Sequence, residues 1–248
     1  MTNKISACCF DLGNTLNNDI LLTRKSVDRM GEWMESEGFI DKARRFAEAY
    51  HQANRNTDGP FYSHTYGEIE FFAKTFQALS ITAISPEDAL RVYRGFVDTY
   101  TPLDAKVPEA LAYLSSLGIK SAILSNERIG RVDAYLEKTG LRPFFDAIVV
   151  SEACGFEKPD PEFFREALRQ LGIPGDKAGT VVLFGDNTIA DGACRDEGMI
   201  FVLVTIYSDR LWYFEKGDEH VPDFEIERVS METIRSFLQT RDWHAPYV

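Results

Sequence analysis

The chain has 248 residues, 44% of them hydrophobic and 27% charged, with a formal net charge of -12; this balance suits a globular protein with a sizeable core in one large domain or two. Such acidity repels polyphosphate backbones, so general nucleic-acid binding is not expected, whereas a small anionic ligand answers to its own pocket, whose sign a bound cation can invert. No apolar stretch is long enough to span a bilayer, Asp11 arrives before a signal-peptide core could form, and Cys8, Cys9, Cys154 and Cys194 lack metal spacing; the expectation is a reduced, cytoplasmic protein without a membrane anchor.

In chain order, Ala7-Cys8-Cys9-Phe10 reads as a buried strand that breaks abruptly into Asp11-Leu12-Gly13-Asn14-Thr15-Leu16. Helical periodicity then runs to about residue 100. Its apolar faces are Val27, Met30 and Met34 with Trp33; Ile40, Ala43, Ala47 and Tyr50; Ile69, Phe72, Phe76 and Leu79; and Ala89, Val92, Phe96 and Tyr100. Ser85-Pro86 suits an N-cap and first helical position. A polar, turn-rich stretch, residues 54–64, separates the second and third helices and is the natural place for recognition. From residue 101 helices and strands alternate: helix 108–117, strand 119–124, helix 131–139, strand 147–150, helix 161–171, strand 180–184, a helix near 190–197, strand 200–204, strand 224–226 and helix 231–238. That rhythm predicts an α/β fold, a Rossmann-like doubly wound parallel sheet covered on both faces. The division expected is a core of residues 1–16 and 101–248 with a helical insertion, 17–100. Nothing in the sequence sets an oligomeric state.

Polar residues gather where the strands end, the edge at which open parallel sheets bind ligands. Asp11 follows the first strand, and Gly13 gives the backbone freedom to turn closely there. Ser125-Asn126 closes the strand 119–124, Glu157-Lys158-Pro159-Asp160 follows the next, and Gly185-Asp186-Asn187, with Asp191 five positions after Asp186, follows the strand 180–184. Each alone is an ordinary turn or cap; four of them, in order, at one sheet edge are not.

These four motifs resemble those of the haloacid dehalogenase superfamily, whose members are mostly magnesium-dependent phosphatases. Asp11-Leu12-Gly13-Asn14-Thr15 matches its first motif, Ser125 the second, Lys158-Pro159 the third, and Asp186 with Asp191 the fourth. The insertion falls where this family carries a helical cap, so the likeness covers essentially the whole chain. It implies Asp11 as nucleophile forming an aspartyl-phosphate, Lys158 neutralising carboxylates and phosphoryl oxygens, and Mg²⁺ held by Asp11, the Gly13 carbonyl and Asp186, with Asp191 as ligand or orienter. Thr15, Ser125 and backbone amides near Leu12, Gly13 and Asn126 would bind the phosphoryl group of a small phosphorylated metabolite, with a sugar phosphate as one candidate in keeping with sugar-phosphatase relatives that share the glycine.

One departure shapes the reading. The second acid of the first motif, the usual proton donor and acceptor, is Gly13 here, and such a group typically contributes about 10²–10⁴-fold. The alternatives are a phosphatase working on good leaving groups or borrowing an acid such as His64; a dehalogenase, or a phosphonatase using Lys42 or Lys74; and a non-catalytic relative that binds a phosphometabolite or a protein.

Overall fold

The computed structural model describes residues 4–55, 64–100, 103–207 and 219–240, with the backbone alone for 54, 55 and 64–67. Six strands form a parallel sheet: β1 (Ala7–Phe10), β2 (Lys120–Ser125), β3 (Ala147–Val150), β4 (Val181–Gly185), β5 (Ile200–Val204) and β6 (Phe224–Ile226), in the order β3-β2-β1-β4-β5-β6. The doubly wound α/β expectation holds, with β1 at the switch where the chain winds outward both ways.

Side-chain alternation explains why these strands read as unbroken apolar runs. Cys8 and Phe10 of β1, with Val182 and Phe184 of β4, enter one core; Ala7 and Cys9, with Val181 and Leu183, enter another on the opposite face. Helices α5 (Val107–Ser116), α6 (Ile129–Thr139) and α9 (Met231–Gln239) supply the first core, and α8 (Pro161–Leu171) the second. Phe10 stacks on Phe184 at 5.1 Å, and Phe237 of α9 meets Phe184 edge-on. Burying each such ring contributes about 1.5–3 kcal/mol. A capping box between Ser230 and Thr233 starts α9, and the Asp160 side chain caps α8 through the Glu162 N–H at 2.9 Å.

The described residues divide into two compact units, one comprising 4–18, 103–207 and 219–240, the other 19–55 and 64–100. The second unit contains α1 (Asp19–Ser36), α2 (Ala43–Arg55), α3 (His64–Leu79) and α4 (Pro86–Thr99) around an aromatic interior of Phe46, Tyr50, Phe72, Phe76 and Tyr93. Ser85 caps α4 as expected. The buried face of α4 is Ala89, Leu90, Tyr93 and Val97; Val92, Phe96 and Tyr100 are only partly buried, because the stripe sits one position away from the one the spacing suggested. Ile40 precedes α2 instead of lying on it, and most of the turn-rich stretch lies outside the described residues.

Two elements differ in kind from the reading of the sequence. The helix expected near 190–197 is a 3-10 segment, Gly192–Glu197. A one-turn helix, α7 (Ser151–Cys154), follows β3 and ends at Gly155, whose φ of +79° favours glycine. Among the described residues no helix is long and apolar enough to cross a membrane.

Candidate active site

Register places the polar strand ends together. Phe10 pairs with Ile123 of β2 and Phe184 of β4, so Asp11 leaves the sheet level with Leu124 and Gly185, and its N–H donates to the Phe184 carbonyl at 2.9 Å. Ser125 closes β2 and Asp186 follows β4, each one step beyond. Lys158 comes through the α7 turn after β3.

The Lys158 ammonium joins three of these elements. It donates to Asp11 Oδ1 at 2.6 Å, to Asp191 Oδ1 at 2.5 Å and to the Leu124 carbonyl at 2.9 Å. Asp191 Oδ2 accepts from the Asn187 N–H at 3.1 Å, while Asn187 Oδ1 accepts from the N–H groups of Ile189 and Ala190 at 2.9 Å. The loop from Asp186 to Asp191 is thus held from inside. Carboxylate oxygens of Asp11, Asp186 and Asp191 lie within 4.8 Å of one another, and all three residues are buried.

Three carboxylates facing one ammonium in a buried space perturb one another. Burial pushes Asp11 up to about 7, the Lys158 ammonium works against that rise, and Asp191 adds to it. Burial also raises Asp186 well above the ordinary carboxylate range, reinforced by Asp11 and Asp191. For Lys158 burial opposes the charge, yet Asp11 and Asp191 outweigh it and its pKa is raised. One more cation would relieve this excess of negative charge. Asp186 Oδ2 is buried without a hydrogen-bond partner, an arrangement that costs free energy unless a ligand satisfies the atom. An all-oxygen set with an unsatisfied carboxylate suits a hard divalent ion such as Mg²⁺.

The remaining expected residues fall into distinct roles. Thr15 is buried with Oγ1 unpartnered, so its hydroxyl is free for a ligand. Leu12 sends its side chain into the core and its carbonyl accepts from the Leu16 and Asn17 N–H groups. The left-handed residue of this turn is Asn14, next to Gly13, with φ of +55°, a conformation asparagine tolerates; the Asn14 N–H donates to Asn17 Oδ1 at 3.3 Å. Ser125 is buried at the end of β2 and is no helix cap, since Arg128 precedes α6. The Asn126 carboxamide turns to the Lys158 backbone, its Nδ2 donating to the carbonyl at 2.8 Å and its Oδ1 accepting from the N–H at 2.7 Å, beside a cis Lys158–Pro159 peptide. The His64 side chain lies outside the described residues. Lys42 is exposed, and Lys74 pairs with Glu70 at 2.7 Å.

Some contributors were not visible in the sequence. A Cβ on Gly185 would collide with the Asp191 carboxylate, so glycine there is what lets this loop fold back on itself. A Cβ on Gly192 would lie 2.7 Å from the His220 Cβ, and the His220 N–H donates to the Thr188 carbonyl at 2.9 Å. The segment around His220 therefore braces the loop of Asp186 and Asp191 from outside. Both contacts join residues that only tertiary structure makes neighbours.

Sheet and cluster define an α/β protein with an acidic, metal-competent centre at its switch point. The chain belongs to the haloacid dehalogenase-like hydrolase family, whose model matches residues 5–192. Glyceraldehyde 3-phosphate phosphatase of Methanopyrus kandleri is 35% identical over 122 residues, 48% of this chain and 49% of that protein, so the chain spans about half that relative's length. Ribulose-1,5-bisphosphate 5-phosphatase of Halopiger xanaduensis is 29% identical over 193 residues, 75% of this chain and 78% of that one. Among solved structures, Bacillus subtilis YfnB bound to magnesium is similar with a TM-score of 0.74 at 20% identity, covering 96% of this chain and 100% of that chain. L-2-haloacid dehalogenase of Xanthobacter autotrophicus is similar with a TM-score of 0.64 at 17% identity, covering 95% and 99%. These two likenesses concern the fold alone.

Proposed function

We propose that the protein is a magnesium-dependent phosphatase that hydrolyses a small phosphorylated metabolite, a sugar phosphate by preference, through an aspartyl-phosphate on Asp11. The observation that carries this reading is the cluster: among the described residues, the buried charged side chains are Asp11, Lys158, Asp186 and Asp191, and they meet at one sheet edge. Binding alone has no use for a carboxylate held by a lysine beside two further acids. The phosphatase names of the two relatives favour phosphorus over halogen and sugar phosphates over other esters.

In this reading Asp11, the Gly13 carbonyl and Asp186 hold Mg²⁺, which supplies positive charge against the phosphoryl oxygens. A carboxylate oxygen of Asp11 bonds to phosphorus while the ester oxygen departs with its electron pair. Lys158 fixes Asp11 Oδ1 during that step, and Asp191 holds Lys158. Thr15 Oγ1, Ser125 and the backbone amides of Leu12, Gly13 and Asn126 receive the phosphoryl oxygens, so positioning and fixed charge supply most of the rate. Water then attacks the phosphorus of the acyl phosphate, releasing inorganic phosphate and restoring the carboxylate. Gly13 offers no proton to the leaving group, so esters with acidic leaving groups turn over fastest. Residues 1–16 and 101–248 form the catalytic domain and 17–100 the cap that selects the substrate. The free thiols of Cys8, Cys9, Cys154 and Cys194 fit a reducing, cytoplasmic setting.

A screen of phosphorylated metabolites with Mg²⁺ tests the reading. Phosphate release that EDTA abolishes supports it; release unaffected by EDTA, or halide release from a 2-haloacid instead, contradicts it.

A further inference from the structure

An ammonium has three N–H donors, and all three on Lys158 are engaged, by Asp11, Asp191 and the Leu124 carbonyl. The lysine stem is long and flexible, so a three-point dock of this kind is precise only if the backbone at its root is fixed. One side chain does that fixing. The oxygen of the Asn126 carboxamide accepts from the Lys158 N–H at 2.7 Å, and its nitrogen donates to the Lys158 carbonyl at 2.8 Å, across 32 residues of sequence. Both polar atoms of Asn126 are thereby committed to Lys158, although its neighbour Ser125 stands where a phosphoryl group is expected.

We propose that the Asn126 side chain is a positioning residue: by clamping the Lys158 backbone it sets the ammonium between Asp11 and Asp191, and it contributes to turnover through Lys158, not through contact with substrate. An aspartate at this position keeps the acceptor and loses the donor, and an alanine loses both. The rate arm of the test rests on the phosphatase reading; a second arm does not.

The test is a double-mutant cycle on p-nitrophenyl phosphate hydrolysis, run beside the nitrogen-15 spectrum of lysine ammonium groups, with the Lys158 signal assigned by its loss in Lys158→Ala. Asn126→Ala is expected to lower kcat about 10- to 100-fold, the usual effect of removing a partner that orients an active group. In the Lys158→Ala background the same change should cost less than about 2-fold, because the route through Lys158 is already gone. The protected Lys158 signal should shift or broaden in Asn126→Ala and change less in Asn126→Asp, which also serves if the alanine variant unfolds. Equal losses in both backgrounds, or an unmoved ammonium signal, would overturn the proposal. If the wild-type protein hydrolyses no phosphate ester while the signal responds, the phosphatase reading falls and the positioning role stands.

Discussion

The two units treat buried polarity in opposite ways. In the helical unit no charged side chain is buried among the described residues, the interior is aromatic, and its ion pairs, such as Arg94 with Glu68 at 2.8 Å, stay in contact with solvent. In the α/β unit two apolar cores sandwich a sheet whose strand ends carry three buried aspartates and a buried lysine. Helix packing has no need of such a cluster, and desolvating four charges is costly. The difference teaches that the sheet's stability resides in its faces, while the buried charges at its carboxyl edge cost part of that stability.

The largest expected effect separates the two kinds of ion pair. Lys158→Ala strips the cation from between Asp11 and Asp191 and should destabilise the metal-free protein by about 3–5 kcal/mol in urea unfolding. Arg94→Ala, at a pair with 27% and 25% of its side-chain surfaces exposed, should cost about 1 kcal/mol or less. Similar losses at both positions would erase the contrast.

Glycine substitutions sharpen the comparison. Gly185→Ala drives a methyl into the Asp191 carboxylate and should lower the proposed phosphatase activity about 10- to 100-fold by displacing a group that holds Lys158. Gly95→Ala lies within α4 with open space around it and should stabilise the protein by about 0.5–1 kcal/mol. Activity assays and thermal unfolding of the two variants give the readouts.

The smallest effect concerns Glu157, whose carboxyl is raised from 4.5 to about 7 by burial and by Asp160 beside it. The folded state then holds this proton where the unfolded chain has released it, so stability falls as pH climbs from about 4.5 to about 7. Glu157→Gln should flatten that part of the stability profile, by an amount reduced by the solvent still reaching the group. A slope unchanged by the substitution would show that Glu157 does not titrate in this range.

Much of this was legible because strand ends announce themselves: an apolar run stopping at Asp11, Ser125 or Gly185-Asp186 marks both the sheet and the edge where ligands meet it. Helix 161–171 was legible to the residue, since Asp160-Pro161 and Gly172 punctuate it. The stripe on α4 and the 3-10 segment after Asp191 were not, because a one-residue rotation or a tighter turn is decided by tertiary packing. The same holds for Asn126, whose partner lies 32 positions away, and for Gly185, whose need for a bare Cα shows only once Asp191 folds over it.

The most direct measurement is acid quenching during turnover of a phosphate ester with Mg²⁺, followed by mass spectrometry of the peptide containing Asp11. A phosphoryl group on Asp11, absent in Asp11→Asn along with a loss of turnover on the order of 10⁴-fold or more, is the predicted result. Turnover of the ester with the phosphoryl group on another residue, or at an undiminished rate in Asp11→Asn, would contradict it.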